Sequence, residues 1–97
     1  MDGRDTDACP IAKVARLLSD TWTMMIVHRL NEGPKRFCEL ERALDGISTR
    51  TLTLKLAKLA EDGMVTKAED GRYLTTERGK GLRRVERAMM RYQEDYL

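Results

Sequence analysis

The chain is poor in the residues that do chemistry. Among 97 residues it holds one histidine, His28, and two cysteines, Cys9 and Cys38. Two cysteines make no disulfide framework. With no Cys-x-x-Cys or His-x-x-x-His pair, a metal site has almost nothing to build on, and none is expected. His28 lies in "MMIVHRL" without a serine or cysteine in a nucleophile motif, so it reads as structural rather than catalytic. Gly79 and Gly81 fall in a charged segment without Walker spacing, which excludes a phosphate-cradling loop of that type. No catalytic residue is assigned, and neither enzyme activity nor a cofactor is expected.

Long apolar runs are also missing. No stretch approaches the ~20 apolar residues that a bilayer span needs. The N-terminal "MDGRDTDACP" has no apolar signal core. The expectation is a cytoplasmic protein that does not engage the membrane. Its 41% hydrophobic and 35% charged residues suit one globular domain with a charge-rich surface rather than a disordered chain. We read 1–97 as that domain, with a flexible tail over 1–9. A net charge of +2 is a weak argument for a polyanionic partner, but Asp2, Asp5 and Asp7 stand against Arg4 in the tail. The remainder is therefore more basic than the total suggests.

What is present is a succession of short periodic segments. Pro10 suits the first turn of a helix, and Ile11, Val14, Leu17 and Leu18 form its apolar stripe, ending near Ser19-Asp20. Asp20 or Thr21 can cap a second helix, "WTMMIVHRLNEG", apolar on most sides and ended by Gly33-Pro34. Trp22 and the methionines Met24, Met25, Met89 and Met90 suit either core packing or the walls of a small-molecule cavity. In "KRFCELERAL", Phe37, Leu40, Ala43 and Leu44 mark one face of a short helix, and "DGIS" follows as a tight turn.

Next comes "STRTLTLKL" (48–56), whose alternating threonines imitate a half-buried strand. A strand would have to break into helix before Ala57 with no turn residue. As a helix over 48–62, capped by Ser48, it stacks Leu52, Leu56 and Leu59 on one face and ends at Gly63. Arg50, Leu54, Ala57 and Glu61 then face outward, flanked by Thr49, Thr51, Thr53 and Lys58. "MVTKAEDGRYLTT" reads as a β-hairpin about Asp70-Gly71, a pair that favours a type I′ turn. Thr76 can cap a last helix over 76–97. There Leu82, Val85, Met89, Tyr92 and Tyr96 recur at 3,4,3,4 spacing, the narrow seam of a helix packed on another helix. The predicted fold is mainly α with a small β-hairpin: a winged helix-turn-helix with its long C-terminal helix in a dimer interface.

From Cys9 to about Gly81 the residues resemble the HxlR-type winged-helix transcription regulators, which are related to the MarR regulators. "CP" (Cys9-Pro10) resembles the start of that family, and Trp22 in "SDTWTMMIVHRL" its tryptophan-led second helix. "EGPKRFCEL" is similar to its G-P-x-R-F-x-E-L run. Gly46 to Val65 resembles its recognition segment, and "YLTTERG" the opening of its C-terminal helix. The hairpin is shorter than the family's and lacks the proline before the tyrosine. The resemblance implies a homodimer bound to double-stranded operator DNA, expected here to act as a repressor on a pseudo-palindromic site.

A helix presents its N-terminal residues to base edges in the major groove, so Ser48, Thr49, Arg50, Thr53 and Leu54 are the candidate base contacts. Lys35, Arg36, Lys55, Lys58, Lys67 and Arg72 are the candidates for the phosphate backbone, which sets affinity but not sequence choice. The alternative for each is a solvated surface charge. Ile11, Val14, Leu18, Leu82, Val85, Met89, Tyr92 and Tyr96 are the candidate dimerisation residues, since the first and last helices build the family's dimer. The positive end of a helix favours a thiolate. Some family members sense electrophiles or oxidants through the cysteine that matches Cys9, so an oxidant or small-molecule effector is a candidate partner. The alternative is an inert thiol packed under the dimer helices. The competing function is a winged helix used as a protein-interaction or assembly module without specific DNA binding.

Overall fold

The computed structural model describes residues 9–18 and 20–97. Apart from Cys9, the tail expected over 1–9 lies outside the described residues, as does Ser19.

Helix α1 (Pro10–Leu17) starts at its proline and buries none of its residues. Helix α2 (Thr21–Glu32) is capped by Asp20, whose Oδ1 accepts from the Thr23 backbone N–H at 2.8 Å. Its Ile26, Val27 and Leu30 are buried at the centre of the domain. Helix α3 (Phe37–Ala43) sets Leu40 and the following Leu44 against them, and the Glu39 carboxylate accepts from the Arg36 N–H at 2.7 Å, tying down the first turn. The turn to the next helix passes through Gly46 at φ +89°, a conformation that glycine adopts without strain, and Ile47 packs against the core. Helix α4 (Thr49–Glu61) is a helix throughout, despite its threonine alternation. Ser48 Oγ accepts from the Thr51 N–H at 3.0 Å, and Leu52, Leu56 and Leu59 are buried.

Strands β1 (Val65–Lys67) and β2 (Tyr73–Thr75) pair antiparallel, with Val65 opposite Thr75 and Lys67 opposite Tyr73. The type I′ turn expected at Asp70-Gly71 is not what forms. That turn needs φ > 0 at both central residues, whereas among the described residues only glycines have positive φ. Instead the Gly71 N–H donates to the Ala68 carbonyl at 3.0 Å, and the Ala68 N–H donates to Arg72 O at 2.8 Å. The connection is therefore a three-residue loop ending in Gly71 at φ +89°. The segment before α3 adds a one-residue bridge to β2, with two backbone hydrogen bonds between Lys35 and Tyr73, at 3.0 and 2.7 Å.

The C-terminal helix expected over 76–97 is divided. Helix α5 (Glu77–Lys80) is capped by Thr76, and α6 (Arg83–Tyr96) follows a break at Gly81-Leu82. There the N–H groups of Leu82 and Arg84 bond back only three residues, to Gly79 and Gly81 at 3.1 and 3.3 Å. Two glycines of low helix propensity permit that tightening. Gly79 also lets α5 approach the hairpin: a Cβ there would lie 2.3 Å from the Met64 carbonyl oxygen. At the break Leu82 is buried in the core, whereas every residue from 87 onward is exposed.

The α2 cap is reinforced across the fold, because Lys55 Nζ of α4 pairs with Asp20 Oδ2. The Lys55 ammonium, helped by the Thr23 N–H and opposed by partial burial, holds the Asp20 carboxyl below its ordinary 3.8. Asp20→Ala is expected to cost about 1 kcal/mol at pH 7. A carboxylate with a depressed folded-state value stabilises above its unfolded value and loses that effect as pH falls through the folded value. Urea unfolding of both proteins should therefore show the gap at pH 7 narrowing as the pH drops below 3.8.

Candidate nucleic-acid interface

The outward face of α4 is what remains after its residues have met their obligations within the domain. Ser48 is used up as the cap: its oxygen accepts from the Thr51 N–H and its hydroxyl donates to Thr51 Oγ1 at 2.9 Å. Thr49 donates to Glu41 Oε2 at 2.6 Å, tying the start of α4 to α3. Thr53 donates to the Thr49 carbonyl at 2.8 Å, one turn back along its own helix, which leaves its methyl outward. Arg50 is exposed and has no hydrogen-bond or ion-pair partner among the described residues. Leu54 is 58% exposed, a large apolar side chain on an otherwise polar face. Of the five candidate base contacts, the Ser48, Thr49 and Thr53 hydroxyls are already committed within the domain, while Arg50 and Leu54 have no such tie.

The cations divide similarly. Lys35 sits where the bridge to β2 joins α3, with its backbone locked on both sides by Tyr73. Arg36 donates from Nη1 to the Asp70 carbonyl at 2.8 Å, so it clamps the hairpin tip to the helix-turn-helix. Arg72 pairs with Asp70 (Nε to Oδ2, 3.3 Å), and Lys67 lies 5.2 Å from the centre of the Tyr73 ring. Lys58 reaches Asp62 at 3.6 Å across one exposed helical turn, a weak tie that a phosphate can replace. Lys55 is the departure from expectation. It faces the Asp20 end of α2, not the outward face of α4, because position 55 lies beside the buried Leu52, Leu56 and Leu59 stripe.

A second set of exposed residues lies on α1 and α6. Cys9 is half-buried at the N-cap of α1, and its carbonyl accepts from the Lys13 N–H at 3.1 Å. Ile11 (79% exposed) and Val14 line one side of α1, and Met89, Tyr92 and Tyr96 (73% exposed) line α6. The rings of Tyr92 and Tyr96 stack with centroids 4.9 Å apart. The rest of the predicted seam does not belong to this surface. Leu82 is buried in the domain's own core, and Val85 and Leu18 pack against it, because the first turn of α6 and the end of α1 lie on the body of the domain. Between α2 and α6 lies a cleft of about 550 Å³ walled by Leu18, Met24, Met25, Met89 and Met90. Trp22 packs against the core instead.

At the floor of that cleft is a polar cluster that periodicity did not reveal. Glu86, buried in α6, meets His28 Nδ1 and accepts from Asn31 Nδ2 at 3.0 Å. The same amide donates to Gly79 O at 3.2 Å, and its oxygen accepts from Thr75 Oγ1 at 2.8 Å. The signal in the sequence is a charge on an apolar stripe: Glu86 follows Leu82 by one helical turn. His28 is engaged there by the Glu86 carboxylate. Among the described residues no group of three His, Cys, Asp or Glu side chains is placed to hold a metal ion, and no helix is long and apolar enough to cross a membrane.

A short helix, a turn and a capped helix with an open outer face, followed by a two-stranded hairpin, define a winged helix-turn-helix regulator. The model of the HxlR-like helix-turn-helix family matches residues 17–97, and the chain belongs to that family. It is 34% identical over 95 residues to the HTH-type transcriptional regulator sll1512 of Synechocystis, covering 92% of this chain and 70% of that one. The quinone-bound structure of YodB from B. subtilis superposes with a TM-score of 0.83 at 30% identity, covering 91% of this chain and 99% of that one. The reduced form of the redox regulator HypR superposes with a TM-score of 0.79 at 27% identity, covering 90% and 92%. The Synechocystis protein and YodB are named as transcriptional regulators, a non-enzymatic role.

Because Lys55 is neutralised by Asp20, Lys55→Ala should cost up to about 1 kcal/mol of stability. It should also leave the slope of log K against log salt for DNA binding unchanged. Chemical denaturation and a salt series of binding isotherms check the two halves.

Proposed function

We propose that the chain is a sequence-specific transcription regulator, a repressor acting in the cytoplasm, that binds a pseudo-palindromic operator as a homodimer. The observation that carries this reading is the outward face of α4, with an unpartnered Arg50 beside the exposed Leu54 and the Thr53 methyl, on a helix whose other side is fixed in the core. Arg50 has the fork geometry that pairs with guanine O6 and N7, a contact worth roughly 1–3 kcal/mol of discrimination. Leu54 and the Thr53 methyl suit thymine methyl groups. Lys35, Lys58 and Lys67 supply phosphate contacts. Arg36 and Arg72 present the hairpin tip, although Asp70 beside them limits its pull on DNA. The apolar residues of α1 and α6 that face solvent supply the dimer contact, and the two α4 helices then meet the major groove about 34–36 Å apart. Thiol sensing at Cys9 is supported by the quinone-bound and redox-regulating neighbours and by the thiol's place at the start of a helix on the dimer surface.

Gel shift on fragments from the chain's own promoter region tests the DNA reading. Arg50→Ala should flatten discrimination at one base pair per half-site by roughly 10- to 100-fold. Lys35→Ala should weaken all duplexes alike and reduce the salt slope by about 0.9. If neither variant changes binding, or none is seen at low salt, the chain serves protein interaction instead.

Oxidant treatment tests Cys9. Diamide or a quinone should release wild-type protein and Cys38→Ser from DNA but leave Cys9→Ser bound. Equal release of Cys9→Ser would remove the sensor.

A further inference from the structure

Among the described residues, the buried contacts of helix α6 with the domain lie at its start. Leu82 is buried and Val85 half-buried, then Glu86 is buried, and every residue from 87 to 97 is exposed. The arm beyond the anchor is thus about three turns of helix, roughly 16 Å long. It follows a break where the N–H groups of Leu82 and Arg84 bond back only three residues, so the preceding backbone holds its angle less firmly than a continuous α-helix would. Apolar contact at Leu82 and Val85 resists separation of the arm from the body but is non-directional. Direction comes from hydrogen bonds, and these converge on two residues. Glu86 Oε1 meets His28 while Oε2 accepts from Asn31 at 3.0 Å, so the two carboxylate oxygens are held at positions one helical turn apart on α2. Arg83 Nη2, one turn earlier on α6, donates to the Asn31 backbone carbonyl at 2.8 Å. Asn31 in turn is fixed by Thr75 of β2 and by the carbonyl of Gly79 in α5.

We infer that the Glu86–His28–Asn31 cluster is a positioning device that sets the angle of the α6 arm, and through it the half-site spacing the dimer accepts. The inference rests on the homodimer proposed above. The lever arithmetic shows why a few hydrogen bonds matter: a tilt of about 10° at the anchor displaces the arm's end by about 3 Å. One base-pair step is about 3.4 Å, so a tilt of that size in one protomer shifts the preferred spacing by about one base pair. The cluster also joins α6 to β2, the strand whose Tyr73 locks the segment before α3. The arm and the DNA-facing half therefore share one frame. A buried carboxylate that only stabilised the fold would not need to bridge two side chains of another helix at the root of a projecting lever.

The test reads geometry directly. With Cys9 and Cys38 replaced by serine, a spin label at Glu61→Cys, on the exposed end of α4, reports the distance between the two α4 helices of a dimer. The same protein is then made with Glu86→Gln, which keeps the shape, and with Glu86→Ala, which removes it. Both are also scored unlabelled for spacer preference on duplexes whose half-sites lie at varied separation. The expected result is one narrow distance distribution for the parent, broadened or shifted for Glu86→Gln and at least doubled in width for Glu86→Ala. A spacer preference of about tenfold should fall to two- or threefold, with affinity for a single half-site unchanged. Glu86→Gln keeps the question answerable if Glu86→Ala does not fold. An unchanged distribution and spacer preference in a folded, dimeric Glu86→Gln overturns the positioning role alone. A parent without any dipolar signal overturns the homodimer, and the positioning role with it.

Discussion

Ile26, Val27 and Leu30 are buried at the centre of the domain, and the helix that carries them touches α3, α4, β2, α5 and α6. The position of every functional surface follows from that one apolar stripe. Leu40 and Leu44 meet it from α3, and Leu52, Leu56 and Leu59 meet it from α4. Rotation of α4 about its own axis would expose those leucines, at roughly 1.5–3 kcal/mol each. The outer face is therefore fixed by the inner one. Asp20 at the start of α2 pins α4 through Lys55, and Asn31 near its end pins β2, α5 and α6. Apolar packing places the elements, and the polar ends of α2 orient them.

The DNA-facing surface is accordingly a remainder. Threonines are mediocre helix formers, yet α4 has three in its first five residues, Thr49, Thr51 and Thr53. Each is held by a local bond. Thr49 reaches Glu41, Thr51 completes the Ser48 cap and Thr53 bonds back along the helix. These bonds quiet the hydroxyls and leave methyl groups and the Arg50 fork outward. The resulting face combines a cation, methyls and an exposed leucine, a chemistry that suits the mixed polar and apolar floor of a major groove.

Much of this was legible in the sequence because it depends on local rules. The caps at Asp20, Ser48 and Thr76, the leucine stripe of α4 and the hairpin follow from residue type and spacing over at most a few turns. The motifs of the chain pointed to the family as well. What periodicity could not reach was pairing across long separations. A helical wheel puts Lys55 at the border of the leucine stripe without naming its partner, and only the packing of α4 on α2 brings it to Asp20, 35 positions away. The 3,4 spacing places Leu82 on one seam with Tyr96, but it does not show where the helix leaves the body: Leu82 and Glu86 are buried in the domain, whereas every residue from 87 onward is exposed. At the hairpin tip, Asp-Gly favours two different turns, and the number of loop residues, not the pair itself, decided between them. The one-residue bridge of Lys35 to Tyr73 left no pattern because a single residue has no period.

The two exposed surfaces belong to different helices, one on α4 with Arg50, Leu54 and a few methyl groups, the other apolar with the tyrosines and methionines of α6. Two such surfaces suit the proposed dimeric reader of DNA, in which one face would meet the groove while a second copy would cover the other. Base reading by α4 is tested most directly by an NMR titration of isotope-labelled protein with a duplex that the protein itself has selected from random sequence. The predicted result is large amide shifts at Arg50, Thr53, Leu54 and Ala57, smaller ones at Lys35 and the hairpin tip, and little change along α6. Shifts concentrated on α1 and α6, or no selected duplex at low salt, would contradict it.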